Sequence, residues 1–267
     1  MFKQIIFSYN HYGQKHIGFK NTIQTLEKHI NVNIKKDWIK CMGNLDDNLK
    51  NIHKKNSQLY GSRINIGGDH SMTIGTGSYS LNKFPNTKFI WIDAHPDINT
   101  YESSPTNNVH GMPLAFLTGL IKNHKYDFIK NKLSFENLLY IGIRDIDNFE
   151  RNIIENKKIS TITSNECNNN IDETCKEISK FSKSSPLHVS FDVDSLESKL
   201  IPSTGTPVKH GLSKITAKRI LTHILNSHNI VNMDVCELNL SLGSKKDKEV
   251  SLKNTLEIFN ALKIIKR

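Results

Sequence analysis

Asp93, His95 and Asp97 stand at alternate positions of the segment Asp93-Ala94-His95-Pro96-Asp97. On an extended backbone alternate residues face one side, so two carboxylates and an imidazole would share a face. Such a face is costly in a dry core and well suited to a divalent cation. Asp192-Val193-Asp194 repeats the alternate spacing far along the chain. His70, in Gly67-Gly68-Asp69-His70, adds an imidazole after a glycine pair that lets the backbone bend sharply. A lone Asp-x-Asp at a strand end is common and carries little weight. The three segments together offer four carboxylates and two imidazoles. An oxygen-rich set with some nitrogen favours manganese over zinc, and the absence of a thiolate argues against a structural zinc site. Two ions about 3.5–4 Å apart can share a water and bring its deprotonation close to neutral pH. The expected chemistry is hydrolysis at a pair of metal ions.

These residues need a frame that brings distant segments to one edge. Short β-rich runs at 4–8, 34–41, 63–66, 88–93, 138–143, 159–163, 187–192 and 230–235 alternate with helical patterns at 19–30, 46–60, 113–121, 147–157, 172–181, 214–226 and 250–266. Phe89-Ile90-Trp91-Ile92 and Leu138-Leu139-Tyr140-Ile141 are apolar throughout, the pattern of strands covered on both faces. Asn168–Asn170 and Ser182–Ser185 read as loops, and no internal repeat is visible. The expectation is an α/β fold of three layers, α/β/α, with a mostly parallel sheet of eight strands. Ligands in such sheets sit beyond the carboxyl ends of the strands. His70, Asp93–Asp97, Arg144–Asp147, Asp192–Asp194 and Glu237 all follow expected strands.

The bulk properties are consistent with one domain over residues 1–267, with 37% hydrophobic residues to fill its core. No apolar run approaches the roughly 18 residues of a membrane span, and the opening segment turns polar too soon for a signal-peptide core. The four cysteines form no CxxC and read as reduced thiols. A soluble cytoplasmic protein is expected. The formal charge of +10 comes mostly from lysines spread among Asn and Ile, without a basic stripe or a nucleic-acid motif. No specific nucleic-acid partner and no membrane partner are expected.

Gly67-Gly68-Asp69-His70-Ser71, Trp91 to Thr100 and Ser190 to Ser195 together resemble the three signature segments of the ureohydrolase (arginase/agmatinase) superfamily, over about residues 60–243. The resemblance implies metal ligands at His70, Asp93, His95, Asp97, Asp192 and Asp194, two Mn2+ ions per chain, and a three-layer fold with an eight-stranded parallel sheet. Asp97-Ile98-Asn99-Thr100 is similar to the arginase form, which implies that Asn99, with Ser104 and Thr106, holds an α-carboxylate. Arg144-Asp145-Ile146-Asp147 with Glu150 is similar to the arginase segment whose second Asp and Glu meet an α-amino group. An amino acid carries both groups, and agmatine lacks the carboxylate. By the same resemblance Glu237 pairs with a guanidinium, Thr206 lies beside it, and His110 shuttles protons.

The activity implied is hydrolysis of L-arginine to L-ornithine and urea, with Asp97, His110 and Glu237 as catalytic residues. Agmatine or another guanidino or formimino compound, or a catalytically silent family member, are the alternatives. A homo-oligomer, trimer or hexamer, is implied by relatives. The chain departs from the family pattern at several points. Ser195-Leu196-Glu197-Ser198 stands where a Gly and an Asp-Pro turn are usual, Pro96 where Thr is common, and His210 in a stretch often Gly-rich. Residues 8–26 keep only a faint trace of a Gly-rich opening, and the sequence ends at Arg267 without the extended tail of some relatives.

Overall fold

The structure is a computed structural model that describes residues 2–30 and 32–265. Its strands are β1 (Gln4–Phe7), β2 (Lys35–Trp38), β3 (Arg63–Ile66), β4 (Lys88–Ile92), β5 (Leu138–Ile141), β6 (Ser160–Ile162), β7 (Leu187–Asp192) and β8 (Ile230–Cys236). Among the described residues these eight form one sheet in the order β2-β1-β3-β8-β7-β4-β5-β6, each pair parallel. The helices are α1 (Phe19–His29), α2 (Leu45–Ser57), α3 (Met72–Lys83), α4 (Pro113–Thr118), α5 (Asn148–Lys157), α6 (Ser164–Asn169), α7 (Ile171–Ser182), α8 (Lys214–Ser227) and α9 (Lys245–Ala261). The expected α/β/α fold and its strands are all present.

Successive strand residues feed opposite faces, and in the inner strands both faces are buried. Ile90 and Ile92 of β4 join Leu139 and Ile141 of β5 in a core completed by α1, α7, α8 and α9 through Ile23, Ile178, Ile220 and Ile258. Phe89 and Trp91 join Leu138 and Tyr140 in a second core with Leu49 and Ile52 of α2 and Leu114 of α4. At about 25 cal/mol per Å2 of apolar area removed from water, these two cores supply the main driving force.

The strand order explains how distant segments meet. The chain lays down β3, crosses to β4, and builds outward through β5 and β6. It then returns to insert β7 and β8 between β4 and β3. The central strands are therefore β3, β8, β7 and β4.

Helix α3 is absent from the sequence expectation. Ten of its twelve residues are buried, so it shows no polar face and no apolar stripe. It docks on the sheet through small polar groups: Thr73 and Thr76 donate to Asp234 Oδ2 at 2.8 and 2.5 Å, and His188 Nε2 lies 3.2 Å from the same oxygen. A Cβ on Gly75 would stand 2.8 Å from the Leu49 carbonyl, so glycine there lets α2 and α3 approach closely. Two loop readings are corrected. Asn168 and Asn169 end α6, which Thr163 and Glu166 start with a reciprocal capping box, and Ser182 is the last residue of α7. Helix α9 begins before the expected 250, on the Ser244–Asp247 capping box, and the expected end at Lys266 lies outside the described residues. Among the described residues no helix is long and apolar enough to cross a membrane.

Candidate active site

Ile66, Val235, Phe191 and Ile92 pair in one row across the four central strands. The next residues along each strand, Gly67, Cys236, Asp192 and Asp93, therefore leave the sheet at one level. His70, Glu237, Asp194 and His95 follow within four residues of that row. Parallel register thus brings residues as distant in sequence as His70 and Glu237, 167 positions apart, into one cluster.

The two aspartate motifs do not continue as extended strands, which corrects the geometry expected from alternate spacing. Asp93 Oδ1 accepts from His95 N at 2.8 Å, and Asp192 Oδ1 accepts from Asp194 N at 2.8 Å. Each leading aspartate caps its own turn, a bond its short side chain makes readily. Asp97 then takes a left-handed φ of 49°. With Oδ1 occupied, Oδ2 of Asp93 and Oδ2 of Asp192 face inward, 3.0 and 3.2 Å from His70 Nδ1, and Asp97 Oδ2 lies 2.9 Å from it. His95 Nδ1 lies 3.1 Å from Asp194 Oδ2 and 3.6 Å from Asp93 Oδ1. The His70 ring is stacked on Trp91 at 4.1 Å, and its Nε2 lies 2.7 Å from Ser190 Oγ. A metal at Nδ1 requires Nε2–H to donate to Ser190 Oγ, which that hydroxyl can accept.

Among the described residues three groups could each hold a cation: His70 with Asp93 and Asp97, His95 with Asp93 and Asp194, and His70 with Asp192 and Cys236. Asp93 joins the first two of these groups, and His70 joins the first and third. Asp192 faces the same His70 Nδ1 as Asp93 and Asp97. His70 Nδ1 and Asp93 Oδ2 are fully buried and make no hydrogen bond. Three carboxylate oxygens this close to one buried imidazole nitrogen demand positive charge among them, as a proton or as a cation. All six expected ligands meet here, and their donor chemistry fits divalent cations.

Electrostatics give the same result. Burial raises the Asp192 carboxyl well above its ordinary range, and Asp194 and Asp93 add to the rise. Burial and Asp93 push Asp97 up to about 6. Burial would lower both histidines, but Cys236 and the carboxylates around His70, and Asp194, Asp145 and Asp93 around His95, raise both well above the ordinary value. Burial first, then Asp192, keeps the Cys236 thiol protonated against the opposing pull of His70, so it remains a weak donor beside the carboxylates. The cluster is built to attract positive charge.

Above it lies a cavity of about 370 Å3 whose lining includes His95, Asp97, Asp192, Asp194, Asn99, Ser104, Thr106, His110, Asp147, Glu150, Thr206 and Glu237. Every expected site residue is in that wall except His70 and Asp93, which lie beneath it at 0% exposure. A larger cleft of about 640 Å3 opens at the other end of β3. Its buried Arg63 is engaged with the carbonyls of Asn56, Leu59 and Gly61, so that cleft offers no comparable cluster.

The rim is tied together. Asn99 Nδ2 donates to Asp147 Oδ2 at 2.7 Å, and Asn99 Oδ1 accepts from Ser103 Oγ at 2.7 Å. Ser104 Oγ and Thr106 Oγ1 accept from the backbone N–H groups of Asn107 and Asn108 at 3.1 and 3.2 Å, which leaves each hydroxyl proton to donate elsewhere. Asp147 and Glu150 form the capping box of α5, and Glu150 Oε1 also accepts from Ile98 N at 3.2 Å. Thr206 Oγ1 lies 3.3 Å from Asp194 Oδ2. His110 Nδ1 lies 3.2 Å from Glu237 Oε1; burial would lower this imidazole, but the hydrogen bond and charge of Glu237 hold it up at about 9.

Burial, followed by the charges of Asp147 and Asp97, pushes Glu150 up to about 8. Folding therefore favours its neutral acid, and the stability it contributes is present below about 4.5 and lost as pH rises towards 8. Glu150→Gln cannot ionise. In metal-free protein it should melt a few degrees above the wild type at pH 9 and level with it at pH 4.5, as scanning calorimetry at both values would show. Equal melting at pH 9 would contradict a buried, uncharged Glu150.

Several residues around the site have no role assigned from the sequence. Ser103, not only Ser104, orients Asn99. Arg144 donates to the carbonyls of Asp194, Ser195, Leu196 and Val208, holding the turn after β7. Asp69 Oδ2 accepts from Gly13 N at 2.8 Å, and Gln14 Nε2 donates to Glu237 Oε2 at 2.8 Å. The Gly-Gly-Asp-His motif pointed to Asp69, whereas nothing but the faint glycine pattern pointed to Gln14.

The profile of the arginase family matches residues 7–258. The chain belongs to the arginase family. It is 36% identical to the arginase of Saccharomyces cerevisiae over 191 residues, 67% of this chain and 57% of that one. It is 38% identical to that of Plasmodium falciparum over 216 residues, 78% of this chain and 51% of that one. The chain thus spans between half and three-fifths of the length of these two relatives. Among solved structures, Entamoeba histolytica arginase in complex with L-ornithine superposes with a TM-score of 0.89 at 27% identity, covering 98% of both chains. The structure also shows how one departure from the family pattern is accommodated. His210 has a φ of 63°, the left-handed conformation that favours glycine in such a stretch.

Proposed function

We propose that this arginase-family chain hydrolyses L-arginine to L-ornithine and urea with two Mn2+ ions held by His70, Asp93, His95, Asp97, Asp192 and Asp194. The observation that carries the reading is a single cavity with a cation-demanding floor and a rim of free hydroxyl donors opposite carboxylates. The names of the relatives support it, as does the likeness to an arginase bound to L-ornithine.

The bound ions would supply a water deprotonated near neutral pH and positive charge for the developing oxyanion. Glu237 is buried beside the floor and ionised, because His110 outweighs its burial. It pairs with the planar guanidinium, with Thr206 alongside. Asn99, Ser104 and Thr106 donate to the α-carboxylate, while Asp147 and Glu150 face the α-amino group. Asp97 orients the attacking water by hydrogen bond. The bond between the guanidinium carbon and the side-chain nitrogen breaks, the water oxygen becomes the urea oxygen, and both water protons end on the departing ammonium. His110, an imidazolium at neutral pH, returns a proton to that nitrogen.

The test is urea release from arginine, agmatine and 4-guanidinobutyrate, with and without Mn2+. Arginine is expected to lead the panel only when Mn2+ is present. Urea from agmatine and none from arginine would move the substrate within the superfamily. Two Mn2+ per chain with no urea from any compound would mark a silent member.

A further inference from the structure

Glu237 closes β8 in a left-handed conformation, φ 67°, with its backbone N–H bonded to Gly68 O at 2.9 Å. Its Oε1 accepts from His70 N at 2.8 Å and faces His110 Nδ1 at 3.2 Å. Its Oε2 accepts from Gln14 Nε2 at 2.8 Å. A carboxylate offers about four acceptor sites. Three are taken, and the remaining one is on Oε2, the oxygen that Gln14 holds. Because a carboxylate only accepts, the Gln14 amide must present its nitrogen, so its orientation follows from chemistry.

Gln14 is itself anchored. Gly13 N donates to Asp69 Oδ2 at 2.8 Å, and Gly13 O accepts from His110 N at 3.1 Å. Asn10 Nδ2 donates to Asp69 Oδ1 at 3.1 Å and to Ser71 Oγ at 2.8 Å. Gly68 lets this segment lie directly on the turn after β3, since a Cβ there would meet Asn10 O at 1.7 Å. On the far side, Gln14 Oε1 lies against the turn bearing Thr206, 3.3 Å from where a Cβ on Gly205 would stand.

We propose that Gln14 is a positioning residue for recognition of the substrate guanidinium, fixing the plane of the Glu237 carboxylate so that its free Oε2 site faces the pocket. The inference rests on the function proposed above. The terminal torsion of a glutamate is broad, and without Gln14 nothing described holds Oε2 in place.

Gln14→Met keeps most of the volume and removes the donor. KM for arginine should rise about tenfold and kcat should stay within about threefold. Ornithine carries the α-carboxylate and α-amino group without the guanidinium, so its inhibition constant should stay within about twofold. Bound Mn2+ and melting temperature should match the wild type. If Gln14→Met melts early, the shorter Gln14→Asn, which cannot reach Glu237, serves in its place. An unchanged KM overturns the proposal. So does a parallel rise in KM and in the ornithine constant, because that marks a collapsed segment rather than a lost guanidinium contact. If the wild type prefers another guanidino compound, its KM is the readout. Wild-type protein that releases urea from no such compound overturns the functional reading instead.

Discussion

Asp93→Asn is expected to lower urea release more than about 10³-fold and to leave the purified chain short of both ions, as metal analysis beside the urea assay would show. Asp93 links the ligand group around His70 and Asp97 to the one around His95 and Asp194. Its Oδ1 caps the turn to His95 N at 2.8 Å, and its Oδ2 faces His70 Nδ1 at 3.0 Å. An asparagine that keeps the turn must turn its NH2 towards His70. There it donates to the imidazole nitrogen and removes two ligand atoms at once. If it flips, the NH2 meets the His95 N–H and the turn opens. Neither rotamer serves, although the change in volume is negligible. A variant that retained both ions and its activity would sink the assignment of the floor.

Ser104→Ala combined with Thr106→Val is expected to cut kcat/KM for arginine about 10²-fold and to alter agmatine turnover, where measurable, less than about threefold. Both hydroxyl oxygens already accept from the backbone, so their protons are what they can offer a ligand. A hydrogen bond to a charged group contributes about 1.5–3 kcal/mol, and the partly open rim puts the pair near the lower figure for each. Agmatine lacks the carboxylate that these donors would meet. Parallel kinetics on both substrates check the result. An equal loss on the two would show that the loop shapes the pocket without reading the carboxylate.

Much of this was legible in the sequence where chemistry is local. Strands β4 and β5 are apolar runs of β-formers, and six ligand candidates occupied three short segments that the fold unites. What stayed hidden depends on long-range contact. Helix α3 has no amphipathic stripe because the sheet, α2 and α4 cover nearly all of it. Gln14 reaches Glu237 across 223 positions of sequence from a segment with little pattern of its own. The alternate spacing of the aspartates pointed to the correct residues for a reason the structure replaces, since turns rather than strand pleat aim them inward.

That self-capping has a consequence for how the motifs can drift. Asp93 and Asp192 each perform two tasks with one carboxylate, one oxygen reaching back to the chain two residues on and the other reaching forward. Glutamate has the same charge and the same head group, but its extra methylene lengthens both reaches together. Charge conservation is therefore the wrong measure of similarity at these two positions. The tolerated alphabet is set by the length of a side chain, and it contains a single letter.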